Sequence, residues 1–388
     1  MALTINARRN LILFGILILS GVNGIRATFL PGSLQCGTGE STLRAVSMLF
    51  RHGDRSPTSS YPLDPYHDHP WPGGYGALSQ RGSQELYGSG LIKSTRYSSL
   101  LSTNCEADAT CTVDLDKILV LSSAIQRCVD SVANFLSGFV RVEWPSSLIN
   151  VIPQDQDEML AVPGKSCPLY EDIITPGPSL DAPEFKDLID FDSTEGQELL
   201  AYLEYHTGLT IDSGTALLLI EDTLLIQRDN HLELPTWTDP VFEQYLVPFA
   251  SNFFDVWGSS QYMKIRSSTL FEDMTSRLDN LIAGSHKENI LLYSGHDATV
   301  GGMLHFLGIR NQTVARPAYG ASLNLELHDN SEIQDDYEVK LLYFTTYDDQ
   351  NPIEVNIPNC QAPCPYKEFT WYIQSNLVGD YDSVCSQC

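Results

Sequence analysis

The stretch Arg51-His52-Gly53-Asp54-Arg55-Ser56-Pro57 decides how the rest of this chain is read. It follows Leu43 to Phe50 (LRAVSMLF), an apolar run of the length of a buried strand, and its Gly and Pro cut that strand off. A lone histidine in a loop is usually structural or solvated. His52, by contrast, stands between Arg51 and Arg55 at the end of a strand. Two guanidiniums are permanently charged, fork-shaped donors matched to phosphate oxygens. They also depress the pKa of a neighbouring imidazole, which keeps it neutral and nucleophilic in mildly acidic solution. Gly53 predicts a close approach of the backbone to an anion.

The second polar element is Ser294-Gly295-His296-Asp297, placed after the apolar Ile290 to Tyr293. A histidine there can donate to phosphate, and the adjacent carboxyl can protonate a leaving oxygen. A helix over Ala298 to Phe306 follows. Ile118 to Leu121 reads as another strand, running into a helix from about Ala124 to Phe139. Leu78 to Tyr97 reads as a helix with Gly82 and Gly90 as weak points. Strand–loop–helix units with polar residues at the strand's carboxyl end predict an open α/β sheet with its site along that edge. From about Cys167 to Gly284 the texture is mostly helical. Phe271, Met274, Leu278 and Leu281 recur at helical spacing before a stop at Gly284. Strands return at Ser322 to Leu327 and Tyr337 to Thr346. The expected architecture is one α/β unit, split in sequence by a mainly helical insertion that caps the cleft.

Composition narrows the partners. The 388 residues are 43% hydrophobic and 19% charged, a globular balance. Asp and Glu number 49 against 23 Lys and Arg, for a formal charge of −26. Nucleic acid and anionic membrane surfaces are therefore poor partners, whereas a local arginine cluster can still draw a small anion into a cleft. Arg8 and Arg9 precede an unbroken apolar run from Leu11 to Leu19, with Gly21, Gly24 and Ala27 as small residues for cleavage. Residues 1–24 thus read as a secretory signal peptide. With no other stretch long enough for an anchor and a polar C-terminus, a secreted or lumenal protein is expected.

The nine cysteines agree with an oxidising compartment. Cys105 with Cys111, and Cys360 with Cys364, are spaced for small disulfide-closed loops. Cys360 and Cys364 with Cys385 and Cys388 also have zinc-ligand spacing, which that compartment disfavours. Cys128 reads as a buried thiol. Asn311-Gln312-Thr313 is a glycosylation sequon. His67 and His69 belong to a solvated loop, His305 to a helix face, and Trp71 and Trp237 to packing.

The two motifs together resemble those of the histidine acid phosphatases of the prostatic and lysosomal type. The likeness extends through Trp71-Pro72 and Gly76 to Gly82, through Leu292 to Thr299, and through Pro358 to Pro365. Arg55 and Pro57 set the chain apart from the phosphoglycerate mutases, which share only the Arg-His-Gly core. The resemblance implies an open mixed sheet with flanking helices of the phosphoglycerate mutase type. The α/β domain would comprise 41–166 and 285–388, with the helical cap at 167–284. It implies hydrolysis of phosphate monoesters through a phosphohistidine on His52. Arg51 and Arg55 would hold the phosphate, His296 would contact it, and Asp297 would donate the proton. No metal or other cofactor is implied, the location would be secreted or lysosomal, and dimers are common in the family. Cys167 with Cys385 and Cys360 with Cys364 are the implied disulfides.

One departure stands out. The family pattern R-S-x-x-x-x-R aligns with Leu121-Ser122-Ser123-Ala124-Ile125-Gln126-Arg127, so its first arginine is Leu121 here. The resemblance implies a third phosphate-binding arginine there; Arg127 keeps the second position, but with Leu121 at the first the site is expected to have lost one charged donor, a loss that costs on the order of 10²–10³ in rate. The alternative reading is accordingly a catalytically weakened or inactive member that acts as a phospho-ligand binder. An inositol-phosphate phosphatase is a third reading, disfavoured by the scarcity of basic residues.

Overall fold

The computed structural model describes residues 41–105, 111–171 and 177–386, with the side chains of residues 102–112 left undescribed. The expected signal peptide 1–24, Cys36 and Cys388 lie outside the described residues, as do the side chains of Cys105 and Cys111. The fold is mixed α/β, as expected. Its centre is an eight-stranded sheet of order β10-β8-β7-β1-β6-β4-β5, with β9 paired to β8. In chain order these are β1 (Leu43–Arg51), β4 (Ile118–Ser123), β5 (Ile149–Ile152), β6 (Ile290–Gly295), β7 (Ser322–His328), β8 (Glu338–Phe344), β9 (Ile353–Val355) and β10 (Cys364–Pro365). β1, β6, β4 and β5 run parallel, while β7, β8, β9 and β10 extend the sheet antiparallel. β2 (Ser102–Cys105) and β3 (Cys111–Val113) form a separate hairpin in which Cys105 faces Cys111 in register.

The parallel strands are apolar on both faces because both faces are covered. On one, α1 (Gln80–Arg96) and α3 (Gln126–Phe139) enclose Val46, Met48, Phe50, Val120, Phe135 and Phe139. In the chain, α2 (Ser98–Leu101) follows α1. Gly90 is not a weak point in α1: a Cβ there would run into the Phe135 carbonyl of α3, and one at Gly138 would meet that of Tyr87. The two glycines let the helices cross in backbone contact. The opposite face packs Leu49, Leu121, Leu291, Tyr293 and Leu325 against later helices.

Between β5 and β6 the chain is helical: α4 (Pro183–Lys186), α5 (Thr194–Thr207), α6 (Gly214–Asp229), α7 (Val247–Ser259) and α8 (Gln261–Ile282). Their own core includes Phe185, Leu203, Leu224, Phe249, Phe253 and Trp257. Phe271, Met274 and Leu278 lie on α8, and Gly284, at φ +71°, follows its end. After β6 come α9 (Asp297–Phe306), α10 (Tyr366–Gln374) and α11 (Tyr381–Cys385). A disulfide joins Cys167 to Cys385 across 218 residues, and another joins Cys360 to Cys364, so these cysteines are not zinc ligands. No helix among the described residues is long and apolar enough to cross a membrane.

Candidate active site

The site forms where three neighbouring parallel strands end side by side. Register pairs Phe50 of β1 with Ser294 of β6, and Ser294 with Ser122 of β4. The next residues leave the sheet together, and the His52 amide donates to the Gly295 carbonyl at 3.1 Å. Gly53 is needed for packing. A Cβ on it would strike the Gly82 carbonyl and Leu86, and one on Gly82 would strike the Asp54 backbone. Asp54 braces the loop by accepting from Ser79 Oγ and Arg81.

His52 is buried, and its tautomer follows from its partners. Nδ1 lies 2.8 Å from the Gly53 carbonyl, which can only accept, so Nδ1 carries the proton. Nε2 is left with its lone pair, and Arg127 Nε donates to it at 3.0 Å. Burial, then Arg127 and Arg51, hold the imidazole well below its ordinary pKa, so it stays neutral in mild acid.

His296, the N-cap of α9, sits with its ring 5.5 Å from that of His52. Thr299 Oγ1 accepts from the His296 amide at 3.2 Å, holding the first turn of the helix to its cap. Arg127 Nη2 approaches His296 Nδ1 at 3.4 Å. Burial and Arg127 push its pKa down to about 3. Cys128 is free and buried, with Sγ 3.6 Å from His296 Nε2; burial pushes the thiol up to about 12 and keeps it protonated.

Asp297 pairs with Arg51, Oδ2 lying 2.7 Å from Nη2. Arg51 also donates from Nη1 to the Pro317 carbonyl at 2.7 Å and lies over the Tyr319 ring at 4.1 Å. Burial alone would raise the Asp297 pKa; Arg51, Arg316 and Arg55 outweigh it and bring the carboxyl down to about 2. Arg55 is clamped from the helical segment, its two Nη groups donating to Asp222 of α6 at 2.9 and 3.0 Å. The Nε atoms of both Arg51 and Arg55 are buried with no protein partner. Such orphaned cationic donors suit an incoming anion.

The sequence-predicted residues Arg51, His52, Arg55, His296 and Asp297 thus come together at the carboxyl ends of β1 and β6. Leu121 does not belong to this group. Alternation along β4 sends its side chain into the core with Leu160, Met274 and Tyr293, and the third guanidinium comes from Arg127 in the first turn of α3. The pattern's second arginine, rather than its first, reaches His52. Sequence reading also passed over Asp222, Glu221 and Arg316. Arg316 Nη1 donates to both oxygens of Glu221 at 3.0 and 2.9 Å. No spacing rule links these residues to either motif.

A family model, the histidine phosphatase superfamily (branch 2), matches residues 42–344. The chain belongs to this family. Human lysosomal acid phosphatase is 25% identical over 358 residues, covering 89% of this chain and 80% of that protein. Bovine prostatic acid phosphatase is 24% identical over 373 residues, covering 92% and 91%. Among solved structures, the apo phytase of Hafnia alvei has a TM-score of 0.63 at 17% identity, covering 90% of this chain and 99% of that one. The phytase of Citrobacter braakii gives 0.62 at 16%, covering 89% and 100%. At these identities the phytase likeness speaks for the histidine phosphatase fold.

Proposed function

We propose that this branch 2 histidine phosphatase is an acid phosphatase that hydrolyses phosphate monoesters through a phosphohistidine on Nε2 of His52. The observation that carries this is the fixed tautomer of His52, with a neutral, lone-pair Nε2 ringed by Arg51, Arg55 and Arg127. The guanidiniums would hold the phosphoryl oxygens, with His296 beside them, and stabilise the charge that develops on them. Nε2 forms a bond to phosphorus as the ester P–O bond breaks, and Asp297 gives its proton to the departing oxygen. The Asp297 carboxylate then takes a proton from water as the water oxygen bonds to phosphorus and the P–N bond breaks. Inorganic phosphate leaves, and His52 returns to its starting tautomer.

Acid preference follows from the charges. Asp297 is ionised beside Arg51. A phosphoryl group engages Arg51 and Arg55 and puts negative charge beside the carboxylate, so binding draws a proton to Asp297. Phosphate monoesters bring one themselves below their second pKa, near 6. The resemblance to the lysosomal and prostatic enzymes supports a lysosomal or secreted location, reached through the signal at 1–24, with Asn311 glycosylated. The helical segment 167–284 would act as the cap, and the family habit supports a dimer. Hydrolysis of p-nitrophenyl phosphate at mildly acidic pH with no added metal tests the reading: turnover that disappears in His52→Ala is expected, and its persistence in that variant would refute it.

A further inference from the structure

Arg316 is not part of either motif. It comes from the loop between α9 and β7, yet it is held as firmly as the motif arginines. Nη1 is bound to both oxygens of Glu221, Nη2 lies 3.3 Å from Asp222 Oδ1, and Cζ stands 5.2 Å over the Phe254 ring. All three partners belong to the helical segment, so this loop and the cap grip one another through this guanidinium.

Its position is more informative than its grip. Asp222 is shared with Arg55, and Pro317, the residue after Arg316, accepts from Arg51, which itself pairs with Asp297. The carboxyl that would protonate the leaving oxygen marks the side on which the alcohol or phenol departs. Arg316 is joined to the Arg51–Asp297 pair through its neighbour Pro317 and to Arg55 through Asp222. Glu221 is sealed at 1% side-chain exposure, whereas Arg316 keeps 17% and Asp297 16%. Two acceptors thus pin Arg316 from within the protein, and the face left open belongs to the cation. An arginine immobilised in this way loses little entropy when it takes one more anionic partner.

We infer that Arg316 forms a leaving-group subsite that favours phosphate monoesters whose phenol or alcohol portion carries a carboxylate. This rests on the phosphatase reading for the position of the leaving group. Glu221 and Asp222 act as the frame of the subsite, and Phe254 as its floor.

The test compares 4-carboxyphenyl phosphate with 4-carbamoylphenyl phosphate, which differ by one charge at nearly constant shape. At pH 5.5 the wild type should favour the carboxylate in kcat/KM by about fivefold, the size of one partly exposed charge-assisted contact. Arg316→Gln should bring that ratio to about one, and Arg316→Lys should keep part of it. Global damage affects both esters alike, so the ratio isolates the subsite. Should the single variant fail to fold around an orphaned Glu221, Arg316→Gln with Glu221→Gln removes the unpaired charge and serves instead. A wild-type ratio near one, a preference for the amide, or a ratio unmoved by the substitution would overturn the inference. Calorimetry with 4-carboxybenzylphosphonate and 4-carbamoylbenzylphosphonate separates the two readings. If neither ester is hydrolysed, the phosphatase reading fails, and equal affinity for the two phosphonates would sink the subsite independently.

Discussion

Arg127 donates its Nε–H to Nε2 of His52 across 3.0 Å, while the Nδ1–H of the same ring is committed to the Gly53 carbonyl. The proposed nucleophile is therefore oriented, and its lone pair is covered, by the group that would later hold the phosphoryl oxygens. As phosphorus arrives, that hydrogen bond must pass from nitrogen to a phosphoryl oxygen. Arg127 thus joins the resting state to the transition state, and its removal should affect both.

Arg127→Ala should lower kcat on p-nitrophenyl phosphate by about 10²–10³, with Arg127→Lys recovering part of the loss. Leu121→Arg should give no gain. It would place a charge in the core beside Leu160 and Met274, at a cost of roughly 3 kcal/mol or more, read as a lower Tm and poor soluble yield. Steady-state kinetics and thermal denaturation of the three variants check this. Higher activity in Leu121→Arg would mean that β4, and not α3, supplies the third donor.

The pH profile follows from two opposite requirements. His52 must be neutral, and burial with Arg127 and Arg51 keeps it so well below the ordinary histidine range. The acid limb of kcat/KM should accordingly lie well under pH 6. Asp297 must be protonated in the complex, so activity should fall as pH rises, by about tenfold per unit above roughly pH 6 where monoesters lose their second proton. Asp297→Asn should slow alkyl phosphates by about 10²–10⁴ and p-nitrophenyl phosphate much less, because nitrophenolate departs without help. Equal losses on both substrates would remove Asp297 from the role of proton donor.

The crossing of α1 and α3 gives a prediction about stability alone. Gly90→Ala should cost about 1–3 kcal/mol, since its methyl meets the Phe135 carbonyl rather than a side chain that can turn aside. Gly88→Ala, on the same helix with open space around it, should be neutral or slightly stabilising. Urea midpoints of the two variants measure the difference.

The Cys167–Cys385 bond closes a 218-residue separation. Chain-entropy reasoning assigns such a closure about 5 kcal/mol. Replacing both cysteines by Ala should lower Tm while leaving the active-site strands in place. Residual activity at 25 °C together with a reduced melting temperature is the expected result.

The readable part of the site was the part carried by contiguous sequence. His52 with its two arginines, and His296 with Asp297, each follow an apolar strand directly, so the strand predicts the place of the loop. β5, only four residues and partly exposed, left no comparable run. The misreading of Leu121 came from weighing the motif without the pleat. Val120 turns toward α1 and α3, so Leu121 must turn to the other face. Asp222, Glu221 and Arg316 were invisible for a different reason. They meet through α6 and a loop about ninety residues later, and only the packed tertiary structure brings them to Arg55 and Asp297.

The phosphoenzyme is the most direct test of the account. Wild type mixed briefly with p-nitrophenyl phosphate at mildly acidic pH, quenched in base and digested, should carry one acid-labile phosphoryl group on the peptide holding His52. The label should be absent from His52→Ala and should vanish on longer incubation as inorganic phosphate appears. Continued turnover with no label on that peptide, or a label on another residue, would contradict a mechanism that passes through Nε2 of His52.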